Sequence, residues 1–165
     1  MLTKAEYLTH LPRWIFASCD VHFQGAIDQT ALKMFPEGYS KSEEERQMSR
    51  FCEFRMDGPN IFPQTKNQSK AKFDINILIQ TTMQDSNFHV PLVDIGLVLA
   101  AFTTIPIYRY GEGILDDQSL IGCATITTQG RETAILVSQF GEIETNLKLS
   151  QATVETTYSL DLKTI

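Results

Sequence analysis

KAKFDINILIQ, residues 70–80, is the stretch on which the fold turns. Ala71, Phe73, Ile75, Ile77 and Ile79 fall on one side of an extended chain, and Lys70, Lys72, Asp74, Asn76 and Gln80 fall on the other, with Leu78 out of place. Only a period of two accounts for this, so the segment is a strand with one face in a core. Upstream, Cys52, Phe54 and Met56 alternate with Glu53 and Arg55, which predicts a strand over Phe51–Asp57 that stops at Gly58-Pro59. Residues 59–69 then read as the exposed connector of an extended β-hairpin. A third run is nearly as regular: Ala152, Val154, Thr156, Tyr158, Leu160 and Leu162 alternate with Thr153, Glu155, Thr157, Ser159, Asp161 and Lys163. Such runs exceed the usual strand length of about five or six residues, so part of each is expected either to extend beyond its own domain's core or to pair with a neighbouring subunit.

Outward from these strands the period changes. Ile15, Cys19, Phe23, Ala26 and Ile27 recur at three- and four-residue spacing behind Pro12, which predicts a helix from Pro12 to Asp28, with residues 1–11 ahead of it as an N-terminal arm or, over Thr3–Leu8, a helical turn. Leu92, Ile95, Leu99 and Phe102 mark the inward stripe of a second helix over Pro91–Phe102, with Val98 at its margin. Short strands are predicted over Ala31–Glu37, Ile105–Tyr110, Leu120–Thr127 and Ala134–Gln139. Residues 38–50, with Glu43, Glu44 and Glu45, and the segment GEGILDDQS (111–119) read as exposed loops. The fold class is therefore α+β: one domain over 1–165, a mostly antiparallel β-sheet with two α-helices packed on one face and an extended β-hairpin.

The 165 residues are 42% hydrophobic and 21% charged, close to ordinary globular chains and far from disordered ones. Lys and Arg number 14 against 20 Asp and Glu, a net charge of −6, so wrapping of nucleic acid is not the expected task. Cys19, Cys52 and Cys123 are odd in number and never form a CxxC pair, so they are expected to be small core residues in a reducing compartment. No secretory signal or membrane span is expected: the N-terminal MLTKAEYLTHLPRWIF lacks a sustained apolar stretch, and Val90–Phe102 is interrupted by Pro91, Asp94 and Gly96. The sequon Asn67-Gln68-Ser69 carries no meaning without such a signal.

Chemistry is sparse. No GxSxG, GxxxxGK[ST], HExxH or EF-hand pattern occurs, and Gly111-Glu112-Gly113 lacks the third glycine of a phosphate loop. Cys19 and His22 share a helix face, but a structural zinc needs four ligands and no second pair matches. Asp116-Asp117 reads as a pair of solvated turn residues in preference to a calcium site, and Trp14, Tyr108 and Tyr110 as packing in preference to a base-stacking platform. Neither catalytic nor cofactor-binding nor metal-binding residues are assigned, and an enzyme is not the expectation.

FCEFRMDGP (51–59), FDINILIQ (73–80), IPIYRYGEGILDDQSLIGC (105–123) and QATVETTYSLDL (151–162), in this order behind the Trp14 helix, resemble small neck proteins of tailed bacteriophages, the tail-terminator or tail-completion family. The resemblance implies a virion protein assembled in the host cytoplasm. It implies a homo-oligomeric ring, commonly six-fold, that caps the tail tube, stops its growth and meets the head-tail connector or adaptor protein. Genomic DNA would pass through the lumen without specific binding, no membrane would be involved and no cofactor needed. Strand addition between copies would lock such a ring. Acidic lumen residues would keep DNA from sticking, which points to Glu112, Asp116 and Asp117 and to Glu43–Glu45. Ile61, Phe62, Lys66 and Asn67 at the hairpin tip are the other candidate contact residues. From a different class, the alternative is a small-molecule-binding or enzymatic α+β domain whose polar sheet face or 111–119 loop lines a pocket.

Overall fold

The alternating segments pair with one another along their whole length. In the structure, a computed structural model, residues 4–27, 33–36, 51–82, 96–101, 104–110, 115–127, 135–144 and 149–163 are described. The elements are α1 (Lys4–Ala26), β1 (Lys33–Pro36), β2 (Phe51–Thr65), β3 (Gln68–Thr82), a helical turn α2 (96–100), β4 (Ile105–Tyr110), β5 (Leu115–Ile126), β6 (Ile135–Glu144) and β7 (Leu149–Lys163). The strands run in the order β1-β2-β3-β7-β5-β4, and β6 also pairs with β7. All described pairings are antiparallel except β1 with β2, so the sheet is mixed.

β3 bonds β2 from Phe51↔Gln80 to Thr65↔Gln68, and β7 from Gln68↔Lys163 to Thr82↔Leu149. Along its opposite edge, β7 meets β6 over Leu149–Thr156 and β5 at Tyr158 and Ser159. The bonding expected from neighbouring copies is thus supplied, for these two strands, largely inside the chain. Alternation survives throughout: Ala71, Phe73, Ile75, Ile77 and Ile79 are buried, and so are Val154, Thr156, Tyr158, Leu160 and Leu162 opposite them. Phe73 stacks on its cross-strand neighbour Tyr158 at 5.5 Å between ring centroids.

Over this inner face lies α1. Leu11, Trp14, Ile15, Cys19 and Phe23 point inward, and Phe16 and Phe23 reach the Phe54 ring at 5.3 and 5.4 Å. The helix also satisfies backbone groups of two strands. Ser18 Oγ accepts from the Tyr108 amide at 2.9 Å, Trp14 Nε1 donates to the Tyr110 carbonyl at 3.0 Å, and Gln24 Nε2 donates to the Met34 carbonyl at 2.8 Å. Trp14 is therefore a buried packing residue. Val98 of α2 and Ala101 just after it complete the same core.

Several boundaries differ from the sequence reading. The helix begins at Lys4, so residues 4–11 are no arm, and Pro12 sits inside it. Proline there withholds an amide from the Leu8 carbonyl, a local loss that the packed face outweighs. In α2, Val98 is buried and Leu99 half-buried, the reverse of the predicted stripe; Leu92, Ile95 and Phe102 lie outside the described residues, as do residues 38–50. Gly58-Pro59 does not end β2. The peptide is cis, Gly58 has φ +104°, and the register shifts between Asp57 and Asn60, so the strand passes through a bulge and continues. A Cβ on Gly58 would stand 3.1 Å from the Lys72 carbonyl oxygen, so glycine is required on both counts. Residues 59–69 are consequently strand on both sides of a turn at Lys66 and Asn67. β5 starts at Leu115, which puts Asp116 and Asp117 in a strand instead of a loop, and β6 runs on through Phe140 and Gly141.

Cys19 and Cys52 are buried as expected, but Cys123 is exposed. β5 turns Ala124 inward, and its neighbour must face out. One thiol per folded chain is therefore expected to react promptly with a disulfide reagent, and the other two only on unfolding. A Cys123→Ser chain should show no prompt reaction; three fast thiols in the native protein would contradict this placement.

Candidate interaction surface

The face of β2, β3 and β7 turned away from α1 is built in cross-strand rows. Starting from the end nearest β1, these are Glu53–Leu78–Thr153, Arg55–Asn76–Glu155, Asp57–Asp74–Thr157, Asn60–Lys72–Ser159 and Phe62–Lys70–Asp161. Because even-numbered positions of β3 all point this way, the single break in its alternation, Leu78, places an apolar side chain among polar ones.

The rows divide by charge. At one end, Arg55 is turned to Asp57 by a bond from Nε at 3.2 Å and an ion pair from Nη2 at 3.1 Å, and Asn76 Nδ2 donates to the other Asp57 oxygen at 3.1 Å. Thr157 Oγ1 donates to Asp74. Beside this network is an open groove of about 250 Å³ whose walls are Glu53, Arg55, Asn76, Leu78, Thr153 and Glu155. At the other end the sign reverses. No Asp or Glu occurs between Gly58 and Phe73, while Lys66, Lys70 and Lys72 do. Lys72 Nζ stands 5.6 Å from the centroid of the Phe62 ring, which is 49% exposed. The only acid in these two rows is Asp161, paired to Lys70 at 3.7 Å.

Among the predicted contact residues, Phe62, Lys66 and Asn67 share this exposed tip. Ile61 does not: it pairs with Ala71 on the inner face and packs half-buried against the core. Glu112 and Glu43–Glu45 lie outside the described residues, and for Asp116 and Asp117 only the backbone position in β5 is described. Sequence reading missed Lys70 and Lys72 as part of the tip because it took them as the outer face of a strand ending there. The acid-free interval 58–73 was the signal available.

β1 covers β2 only over Phe51–Phe54, and among the described residues no strand pairs with the rest of that edge. Pro59 and Pro63 remove two amide donors from it, a common device against strand addition. The tip is therefore equipped to meet a partner through side chains more than through its backbone edge.

Elsewhere the titratable groups serve packing. Burial, with a smaller push from Asp20, raises the Cys19 thiol from 9.0 to about 12, which keeps it protonated and unreactive. Burial likewise pushes the Tyr158 phenol upward. His22 Nε2 donates to the Ala101 carbonyl at 2.9 Å, tying α1 to α2. Among the described residues no group of three or more His, Cys, Asp or Glu is placed to hold a metal ion, and no described helix is long and apolar enough to cross a membrane. Compared with known proteins, the chain matches no family profile and no curated protein.

Proposed function

We propose that the chain is a subunit of a homo-oligomeric ring at the head-to-tail junction of a tailed bacteriophage, a tail terminator that caps the tube and joins it to the connector around an open channel. Support comes from the β2–β3 hairpin. Its ladder is carried to a two-residue turn, and residues 62–68 are all exposed there, a layout suited to contact with a neighbour. The order of elements around it is the one on which the resemblance to neck proteins rests. In this reading the chain performs no turnover, needs no cofactor, and turns its acidic segment 112–117 toward the lumen.

The groove of about 250 Å³ is the observation that favours the alternative, a small-molecule-binding α+β domain, but it falls below the volume of about 300–1,000 Å³ usual for ligand pockets. Electron micrographs and sedimentation of the purified full chain separate the two. Closed rings, and the same protein at the neck of assembled particles, are expected. A protein that stays monomeric at high concentration, is absent from particles and binds a small ligand saturably would overturn the ring reading.

A further inference from the structure

We propose that the outer face of the hairpin tip binds single-stranded nucleic acid, with Phe62 as the ring on which a base stacks and the lysines of the tip holding phosphates. The inference goes beyond the ring reading and does not rest on it, because every copy carries this face whether or not copies assemble. The three rows nearest the hairpin turn are Asn60–Lys72–Ser159, Phe62–Lys70–Asp161 and Gln68–Lys163, and Lys66 stands in the turn that joins β2 to β3. In these rows and the turn, four lysines stand against one acid, Asp161, although the whole chain carries −6. Phe62 is 49% exposed, and the Lys72 ammonium lies 5.6 Å from its ring centroid. An aromatic ring open to solvent on a sheet surface, with cations beside it, is the arrangement that holds unpaired bases. Asn60, Gln68 and Ser159, in the same rows, add side chains able to hydrogen-bond base edges and sugars.

Chemistry selects this occupant over the others that a basic surface attracts. A duplex keeps its base faces stacked inside, where a ring on a flat sheet face does not reach them, and four lysines fall short of the roughly six to ten phosphate contacts of strong duplex binders. A lipid surface calls for apolar residues at the most advanced point of the hairpin; here that point is Thr65-Lys66-Asn67-Gln68, and the ring is set back from it. Protein interfaces are depleted in lysine, and Pro59 and Pro63 withhold two amides from the edge that an added peptide strand would use. The net charge of −6 weakens the binding of any polyanion, but at about 0.1 M salt charges act over only about 10 Å, so the local sign decides. The next row inward holds Asp57 and Asp74, already engaged by Arg55, Asn76 and Thr157.

Fluorescence anisotropy of a labelled oligothymidylate with the full chain is the test, and oligouridylate in its place tells DNA from RNA. Binding is expected at low salt, with log K falling against log salt at a slope of about −2 for three phosphate contacts. Phe62→Leu keeps an apolar side chain at this exposed position and removes the ring; it should weaken binding about tenfold and leave the slope unchanged. Lys66→Gln with Lys72→Gln should flatten the slope to about −0.7. An abasic oligomer should bind wild type about as weakly as the thymidylate binds the Phe62→Leu chain. Circular dichroism melts check that each variant is folded. A folded wild type that leaves both oligomers unbound at low salt, equal affinity for wild type and the Phe62→Leu chain, or a duplex of the same length bound as tightly as the single strand would overturn the proposal. So would cosedimentation with phosphatidylserine vesicles by a chain that ignores the oligomers. Rings without oligomer binding would defeat this proposal and leave the ring reading standing. Oligomer binding by a chain that stays monomeric and absent from particles would do the reverse.

Discussion

Phe54→Ala is expected to lower the unfolding free energy by about 3–5 kcal/mol. The side chain is fully buried on β2 and is touched by Phe16 and Phe23 from α1, so its removal opens a cavity where helix and sheet meet. Neighbours on a paired strand and a long helix have little room to collapse into that space, which holds the penalty near the upper part of the range. Urea unfolding followed by circular dichroism measures it. A loss below about 1 kcal/mol would mean that α1 is not seated on Phe54.

Alkaline pH should unfold the protein through Cys19. Its thiol titrates at about 12 in the folded chain against 9.0 for an unburied one, so the folded state keeps a proton that the unfolded state gives up. Unfolding therefore releases a proton above pH 9, and stability falls with rising pH across the interval from 9 to 12. The full contribution is present below pH 9. Three units correspond to roughly 4 kcal/mol, lost progressively over that window. Cys19→Ala removes this thiol's titration and should flatten the dependence above pH 9, at the price of a lower plateau below it. Urea midpoints at a series of pH values, for both chains, decide the matter; parallel curves would show that Cys19 does not set the slope. Tyr158, whose phenol is also pushed upward by burial, steepens the fall above pH 10 in both proteins.

What could be read from residue order alone depended on how local its cause was. The buried faces of β3 and β7 were legible because a period of two marks which side is in, wherever the partner strands lie. The end of β2 was not. Gly58-Pro59 carries the composition of a turn, and the ladder to β3 continues past it because β3 supplies partners as far as Thr65↔Gln68, next to the hairpin's own turn. Pro12 has the same history: proline favours a first helical turn, yet Leu11 is buried with the rest of the inward stripe and the helix extends behind it. The parallel partner of β2 is a four-residue strand whose own sequence says nothing of direction. Of the contact residues, polarity exposed Lys66 and Asn67 correctly, whereas Ile61 and Phe62 are adjacent apolar residues that only the register sends to opposite faces.

β7 occupies the middle of the sheet although it is the last of the described strands in the chain. During synthesis, β2 and β3 can zip as a hairpin, and β4 and β5 can do so after them, but neither pair has its central partner until residues 149–163 leave the ribosome. Until then one edge of β3 stays open along its whole apolar length. The nascent polypeptide thus passes through an interval in which it is most prone to mispairing, and cellular chaperones that shield extended segments have their clearest opportunity there.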